Sequence, residues 1–335
     1  MRANAFPLSL SWLVLAVCFA VSLHFGSSDA TLWDVFKLIG DAPGEITSKI
    51  FFAIRLPRCL VAAFAGGALA GAGVISQGLF RNPLASPSVL GTTGGAGMAS
   101  AIGFFLFPML QAWWLVPVCS VIGAFLSTSF LLFLNHRLSN MSVEILLLLS
   151  FALNSLFASV TSLLMSFMMA KQIAVQPLLY WLLGGLSGAG WEHAGIASLF
   201  LLAGGILAVG LCTKLNVAAL GEDIATSLGV PVANIKWQAI VVVAILVGGA
   251  VSVAGPIGFV GLLVPHFTRW LYGFEHKRLF AYSCIHGASL MLLADLLART
   301  LWQPQEVQVG VLIAFVGGPF FLWLAVNHGK AQSRG

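Results

Sequence analysis

The chain reads as an all-α integral membrane protein of about ten transmembrane helices, and three observations predict it. Of its 335 residues 59% are apolar and 8% charged, with a mean hydropathy of +0.99, whereas soluble domains carry about a quarter charged residues. A spanning helix needs about 20 apolar residues, so this composition leaves room for about ten spans and for little else. No polar linker, low-complexity tract or long charge run marks a second unit, so residues 1–335 are expected to form a single membrane domain.

The first apolar run, 8–25, follows Arg2 and precedes Ser27, Ser28 and Ala30, the outline of a signal peptide. Its near-spanning length and the many spans behind it make an uncleaved first helix the expectation. Further runs at 57–80, 88–107, 113–134, 144–169 and 193–212 give spans two to six. Runs at 232–254, 256–272, 280–302 and 307–328 complete the ten. An even number returns the C-terminus to the side of the N-terminus, and basic residues decide which side that is. With both termini cytoplasmic, Arg2, Arg81, Arg137, Lys214, Lys236, Arg269, Lys277, Arg278, Lys330 and Arg334 lie inside. Lys37, Lys49, Arg55, Arg58, Lys171 and Arg299 lie outside, beside Asp29, Asp34, Asp41, Glu45, Glu192 and Glu306. The excess inside favours this orientation, and it accounts for the net charge of +5 without any nucleic-acid partner.

The 36 glycines include pairs at small-xxx-small spacing, Gly67/Gly71, Gly91/Gly95 and Gly184/Gly188, which permit close helix approach in lipid. The pattern GGAxxxAG occurs at 66–73 in span two and again at 248–255 in span seven. Those spans run in opposite directions, as an inverted repeat requires.

Charge inside the membrane is sparse, which speaks against a carrier driven by ion coupling. Asp295 and Arg299, four residues apart on span nine, share a helix face and can pair; a proton-relay role for Asp295 is the competing reading. His266 and His286 have no second ligand at helical spacing and read as locally hydrogen-bonded core residues. The five cysteines are scattered, with no CxxC, and predict neither a disulfide frame nor a metal site.

A carrier without buried charges needs another energy source, yet the chain has no GxxxxGK[ST] loop with which to use ATP. The longest polar cytoplasmic stretch, 213–231, holds a candidate dock for a partner. Glu222 and Asp223 stand where the positive end of a short helix begins, and Gly229 with Pro231 supplies its stop. Ile224 and Leu228 give it an apolar stripe, which either docks on a partner or packs against the chain's own helices.

LGEDIATSLGV at 220–230 resembles the cytoplasmic coupling loop of the permease subunits of ABC importers for iron-siderophore complexes, heme and vitamin B12, the FecCD type of type II importer. RLPR at 55–58, RNPLASPSVLG at 81–91 and YWLLGGLSGAGW at 180–191 match the same family, as do GPIGFVGLLVPH at 255–266, DLLAR at 295–299 and GVLIAFVGGPFFLWL at 310–324. The blocks run from span two to the last span in the family's order, while the first fifty residues add little.

The resemblance implies a vitamin B12 permease-like fold with inverted-repeat character, in the bacterial inner membrane, dimerising with a second permease, usually a copy of itself. It implies two ATPase subunits below, which use ATP and magnesium, and a periplasmic substrate-binding protein above; no cofactor or metal is expected on this chain, and no catalytic residue. Leu220, Gly221, Glu222, Asp223, Ile224, Ala225, Leu228, Gly229 and Val230 then form the ATPase-coupling segment. Arg55, Arg58 and Arg299 match the family's arginines that receive acidic residues of the binding protein. Asn82 and Leu84 match the cytoplasmic gate between spans two and three, and Met141 and Ser142 its part at the start of span five. There the family's small hydroxylated pair is blurred to Ser139-Asn140-Met141-Ser142. Ser86-Pro87-Ser88 replaces an acidic residue and a glycine of many relatives. The expected cargo is an iron siderophore, then heme, then vitamin B12 or another metal complex. A secondary transporter or channel is the alternative class, and the absence of HExxH leaves an intramembrane enzyme without a site.

Overall fold

The computed structural model describes residues 8–26, 49–108, 112–137, 143–173, 175–229 and 231–332. Every predicted span is a helix: α1 (Leu8–His24), α2 (Leu56–Phe80), α3 (Thr92–Leu106), α4 (Leu115–Arg137), α5 (Val143–Ala170), α7 (Trp191–Ala218), α9 (Val232–Ala254), α10 (Val260–Tyr272), α11 (His276–Thr300) and α12 (Val309–Gln332). Among the described residues two short helices lie between them, α6 (Gln176–Leu182) and α8 (Glu222–Ser227). Among the described residues six of the helices are individually long and apolar enough to cross a membrane. No strand occurs among the described residues.

Helix edges depart from the apolar runs where the backbone is diverted. A π-helical turn, Ile50–Arg55, leads into α2. Span three starts late because Pro87–Leu90 forms a 3-10 turn and Gly91, at φ 76°, reverses the chain before Thr92. Span eight begins only at Val260, since Gly255 and Phe259 both adopt positive φ around Pro256. Helix α6, with Pro177 in its first turn, was not anticipated: its seven residues are too few to show a period.

Helices α2 and α9, which carry the repeated GGAxxxAG, form the centre of the bundle, with 83% and 78% of their most apolar windows buried. They pack on each other, and around them stand α7, α11, α10 and α4. The small residues are what allow this. A Cβ on Gly66 would collide with the carbonyl of Gly287 in α11, and one on Gly287 with that of Gly66, so the α2–α11 crossing is a glycine-to-glycine contact. Helices α5 and α7 are mostly uncovered, with 22% and 28% of their windows buried, and face outward.

Candidate coupling and docking sites

Near one end of the bundle α7 ends in overlapping turns, with Leu220 N–H donating to Val217 O (3.1 Å) and Gly221 N–H to Ala218 O (3.2 Å). Gly221 takes φ 126°, a conformation open to glycine, and so starts α8. Gly229, at φ 76°, ends it, its N–H donating to Thr226 O at 2.9 Å. Ala225 is fully buried against the bundle, while Leu220, Ile224 and Leu228 are 62%, 48% and 61% exposed. The chain's own described helices therefore do not cover the apolar stripe. Asp223 is exposed beside it, and Val230 lies outside the described residues.

At the same end the 81–91 loop leaves α2. Asn82 N–H donates to Gln77 O (3.2 Å), and Asn82 Oδ1 accepts the N–H of Leu84 (2.9 Å), closing a side-chain turn. Three other helices anchor the loop. Ser127 of α4 donates to Gly91 O (2.8 Å), Asn154 of α5 donates to Ser88 O (3.3 Å), and Gly261 of α10 packs on Pro87. Asn82 is exposed and Leu84 partly so. Met141 and Ser142, the other expected gate residues, fall outside the described residues.

Arg55, Arg58 and Arg299 gather at the opposite end, but turned inward, only 4%, 8% and 4% exposed. Arg58 Nε donates to Asp295 Oδ1 (2.9 Å), and its two terminal nitrogens form a fork on Glu306 at 3.1 Å each. Arg299 Nη2 donates to the carbonyl and hydroxyl of Ser22 in α1 (2.8 and 2.9 Å). Its Nε stands 3.2 Å from Asp295 Oδ2 without hydrogen-bond geometry, so that contact is Coulombic. Arg55 Nη1 donates to the carbonyls of Leu23 and His24 (2.9 and 3.2 Å). The cluster ties α1, α2, α11 and the following loop together, and among the described residues it sets three guanidiniums against two carboxylates. Asp295 serves here as an ion-pair partner. Glu306, whose side chain is 31% exposed, is its most open carboxylate; the sequence marked it only as an outer acid, because no motif links it to Arg58.

The glycine-rich motifs meet at this end too. Gly185 N–H donates to Ala254 O and Gly310 N–H to Gly184 O, both at 2.9 Å, so the turn that follows α6, the end of α9 and the start of α12 share one backbone junction. On α5, Ser155, Ser159, Ser162 and Ser166 fall at helical spacing on one exposed face. His286 is held between Thr268 and Ser11, each 3.2 Å away. Among the described residues no three His, Cys, Asp or Glu side chains form a metal cluster.

The pattern of the FecCD transport family matches residues 14–327. The iron(3+) dicitrate transport system permease of Escherichia coli is 37% identical over 94% of this chain and 96% of its own length. The hemin transport system permease of Yersinia pestis is also 37% identical, over 94% and 91%. The vitamin B12 import system permease of Vibrio vulnificus is 34% identical over 95% of each chain. Among solved structures, a metal-chelate type ABC transporter in an inward-facing conformation superposes with a TM-score of 0.82 at 28% identity, over 96% of this chain and 98% of that one.

Proposed function

The chain belongs to the FecCD transport family and is an ABC-importer permease, a multi-pass membrane protein; from that premise we propose that it carries an iron chelate inward on ATP hydrolysed by a partner. Residues 1–335 act as one transmembrane domain with both termini cytoplasmic. Two copies form the pathway, two ATPase subunits consume ATP and magnesium, and a periplasmic binding protein delivers the cargo. An iron siderophore is the first cargo in this reading and heme the second; vitamin B12, carried in the name of one relative, is the alternative.

The observation that supports it most is the α8 segment, where Ile224 in the helix and Leu220 and Leu228 flanking it face away from the bundle. Exposed apolar side chains in a polar loop lower the free energy of a complex that covers them. In this reading Leu220 to Val230 seat in the ATPase, with Glu222 and Asp223 at the positive start of the helix, and Asn82, Leu84, Met141 and Ser142 narrow the cytoplasmic mouth. Arg55, Arg58 and Arg299 hold the docking end, where an acidic side chain of the binding protein reaches Arg58 by taking the place of Glu306.

The test is uptake by proteoliposomes of the purified complex, comparing ferric citrate, hemin and cyanocobalamin. Asp223→Lys, or deletion of two residues within 224–228, is expected to abolish uptake while the chain still inserts. Uptake that survives both changes removes the coupling role.

A further inference from the structure

Between α8 and the 81–91 loop lies a polar cluster that the reading above does not use. Asn216 sits in the last turns of α7, just before the chain turns into α8. Its Oδ1 accepts two hydrogen bonds from one residue of α11, from the backbone N–H of His276 at 3.1 Å and from its Nδ1–H at 2.6 Å. The first N–H groups of a helix have no partner within it. Glu275 takes the N–H of Arg278 (3.3 Å), and Asn216, from another helix, takes that of His276.

The far edge of the His276 ring rests on α2, where a Cβ placed on Gly78 would stand 2.8 Å from Nε2. The preceding residue, buried Gln77, is held at Oε1 by Arg269 Nη2 of α10 (2.7 Å), and its carbonyl receives the N–H of Asn82 (3.2 Å). Asn216, His276, the last turn of α2 and Asn82 thus form a continuous series of contacts from the root of α8 to the loop. Arg269 Nη1 is buried with no hydrogen-bond partner among the described residues. An unspent donor at this joint fits contacts that change hands between two conformations.

We propose that Asn216 is a positioning residue for transport. By holding two donors of His276 it makes the start of α11 follow the end of α7, and His276 passes that displacement through Gly78 to Asn82–Leu84. The inference rests on α8 being the ATPase dock and 82–84 the gate. A neutral hydrogen bond contributes only a small part of a chain's net stability, so the link can be lost without unfolding the chain. What it supplies is geometry, because two bonds to one residue fix both distance and direction. Rigid helices carry such a shift farther than a mobile loop would.

The experiment uses the intact complex with its ATPase in lipid discs. Ser86→Cys, a near-isosteric change in the 81–91 loop, reports through its rate of labelling by a polar maleimide, with and without ATP plus vanadate, after subtracting the rate of the parent chain. With Asn216 in place, nucleotide trapping is expected to change the rate by about fivefold or more, the lower range of allosteric coupling. Asn216→Leu should remove that change while ATP hydrolysis and assembly persist. Asn216→Asp, which keeps the acceptor oxygen, should restore it; a purely packing role for Asn216 would not separate the two variants.

An undiminished response in Asn216→Leu overturns the proposal. Should that variant fail to assemble, Gly78→Ala decides in its place: its methyl must displace the His276 ring, and an unchanged response there is equally fatal. A complex that shows no nucleotide-dependent labelling even with Asn216 intact overturns the dock-and-gate reading itself, which separates the two failures.

Discussion

Asp295 is the residue on which the Arg58 end depends. It is fully buried, accepts a hydrogen bond from Arg58 and lies beside Arg299. Removing one member of a buried ion pair leaves a desolvated charge behind, a loss of about 3–5 kcal/mol. Asp295→Asn keeps the shape but not the charge, leaving, among the described residues, Arg299 without a carboxylate and Arg58 with Glu306 alone, so it is expected to lower the melting temperature of the detergent-purified chain sharply. Glu306→Gln should lower it less, because Glu306 is 31% exposed at the rim and its loss leaves Arg58 still paired with Asp295. Equal melting temperatures for the two variants would show that Asp295 is no keystone. The sequence made half of this visible. The spacing of Asp295 and Arg299 announces their pair within one helix, whereas Arg58 and Glu306 join it only through tertiary packing across 237 and 248 residues. The same limit hid Asn216, an unremarkable polar residue until α11 is folded against α7.

At the scale of helices, glycine acts in two ways that the sequence alone does not separate. Gly66 meets the backbone of Gly287 across the α2–α11 crossing, and the oxygen it faces cannot rotate away as a side chain could. Gly66→Ala should force the helices apart at about 1–3 kcal/mol, the usual range for overpacking. Gly205, in the middle of α7, has nothing within 4 Å of the place a methyl group would occupy, so Gly205→Ala should be neutral within about 1 kcal/mol. Thermal unfolding of the two variants checks this pair, and equal destabilisation would mean that the crossing is looser than its geometry. Apolar run length sufficed to locate a helix at every predicted span, because lipid demands apolar length of each helix in isolation. Helices α3 and α10 came out shorter than their runs because turns at Gly91 and at Gly255–Phe259 consume apolar residues without making helix, and apolar content cannot report backbone direction.

For the whole molecule, the proposed pairing with a second permease needs one outward face, and α5 and α7 are the two candidates. Both are mostly uncovered, but their exposed chemistry differs. Helix α7 presents Leu199, Leu202 and Ile206, 64%, 65% and 75% exposed, a surface suited to acyl chains. Helix α5 also exposes apolar side chains, Leu148 and Phe151 at 70% and 72%, but adds to them Ser155, Ser159, Ser162 and Ser166 along one stripe. Ser155 and Ser159 do turn their hydroxyls back to the carbonyls four residues earlier, at 3.0 and 2.9 Å, which lowers the cost of facing lipid. Four in register nevertheless suit a wall wetted by water better than a hydrocarbon boundary, where such groups gain nothing. In the proposed reading the start of span five lines the gate, which would set this helix on the axis between the two copies. Ser159→Cys is therefore expected to react with a small, charged thiol reagent in sealed vesicles, and Ile206→Cys to stay inert. Cysteines at these sites should also differ in cross-linking, with dimers arising from α5 and none from α7. Reaction at α7 alone would turn the assembly around, placing the pathway against an apolar wall and leaving the α5 hydroxyls in lipid.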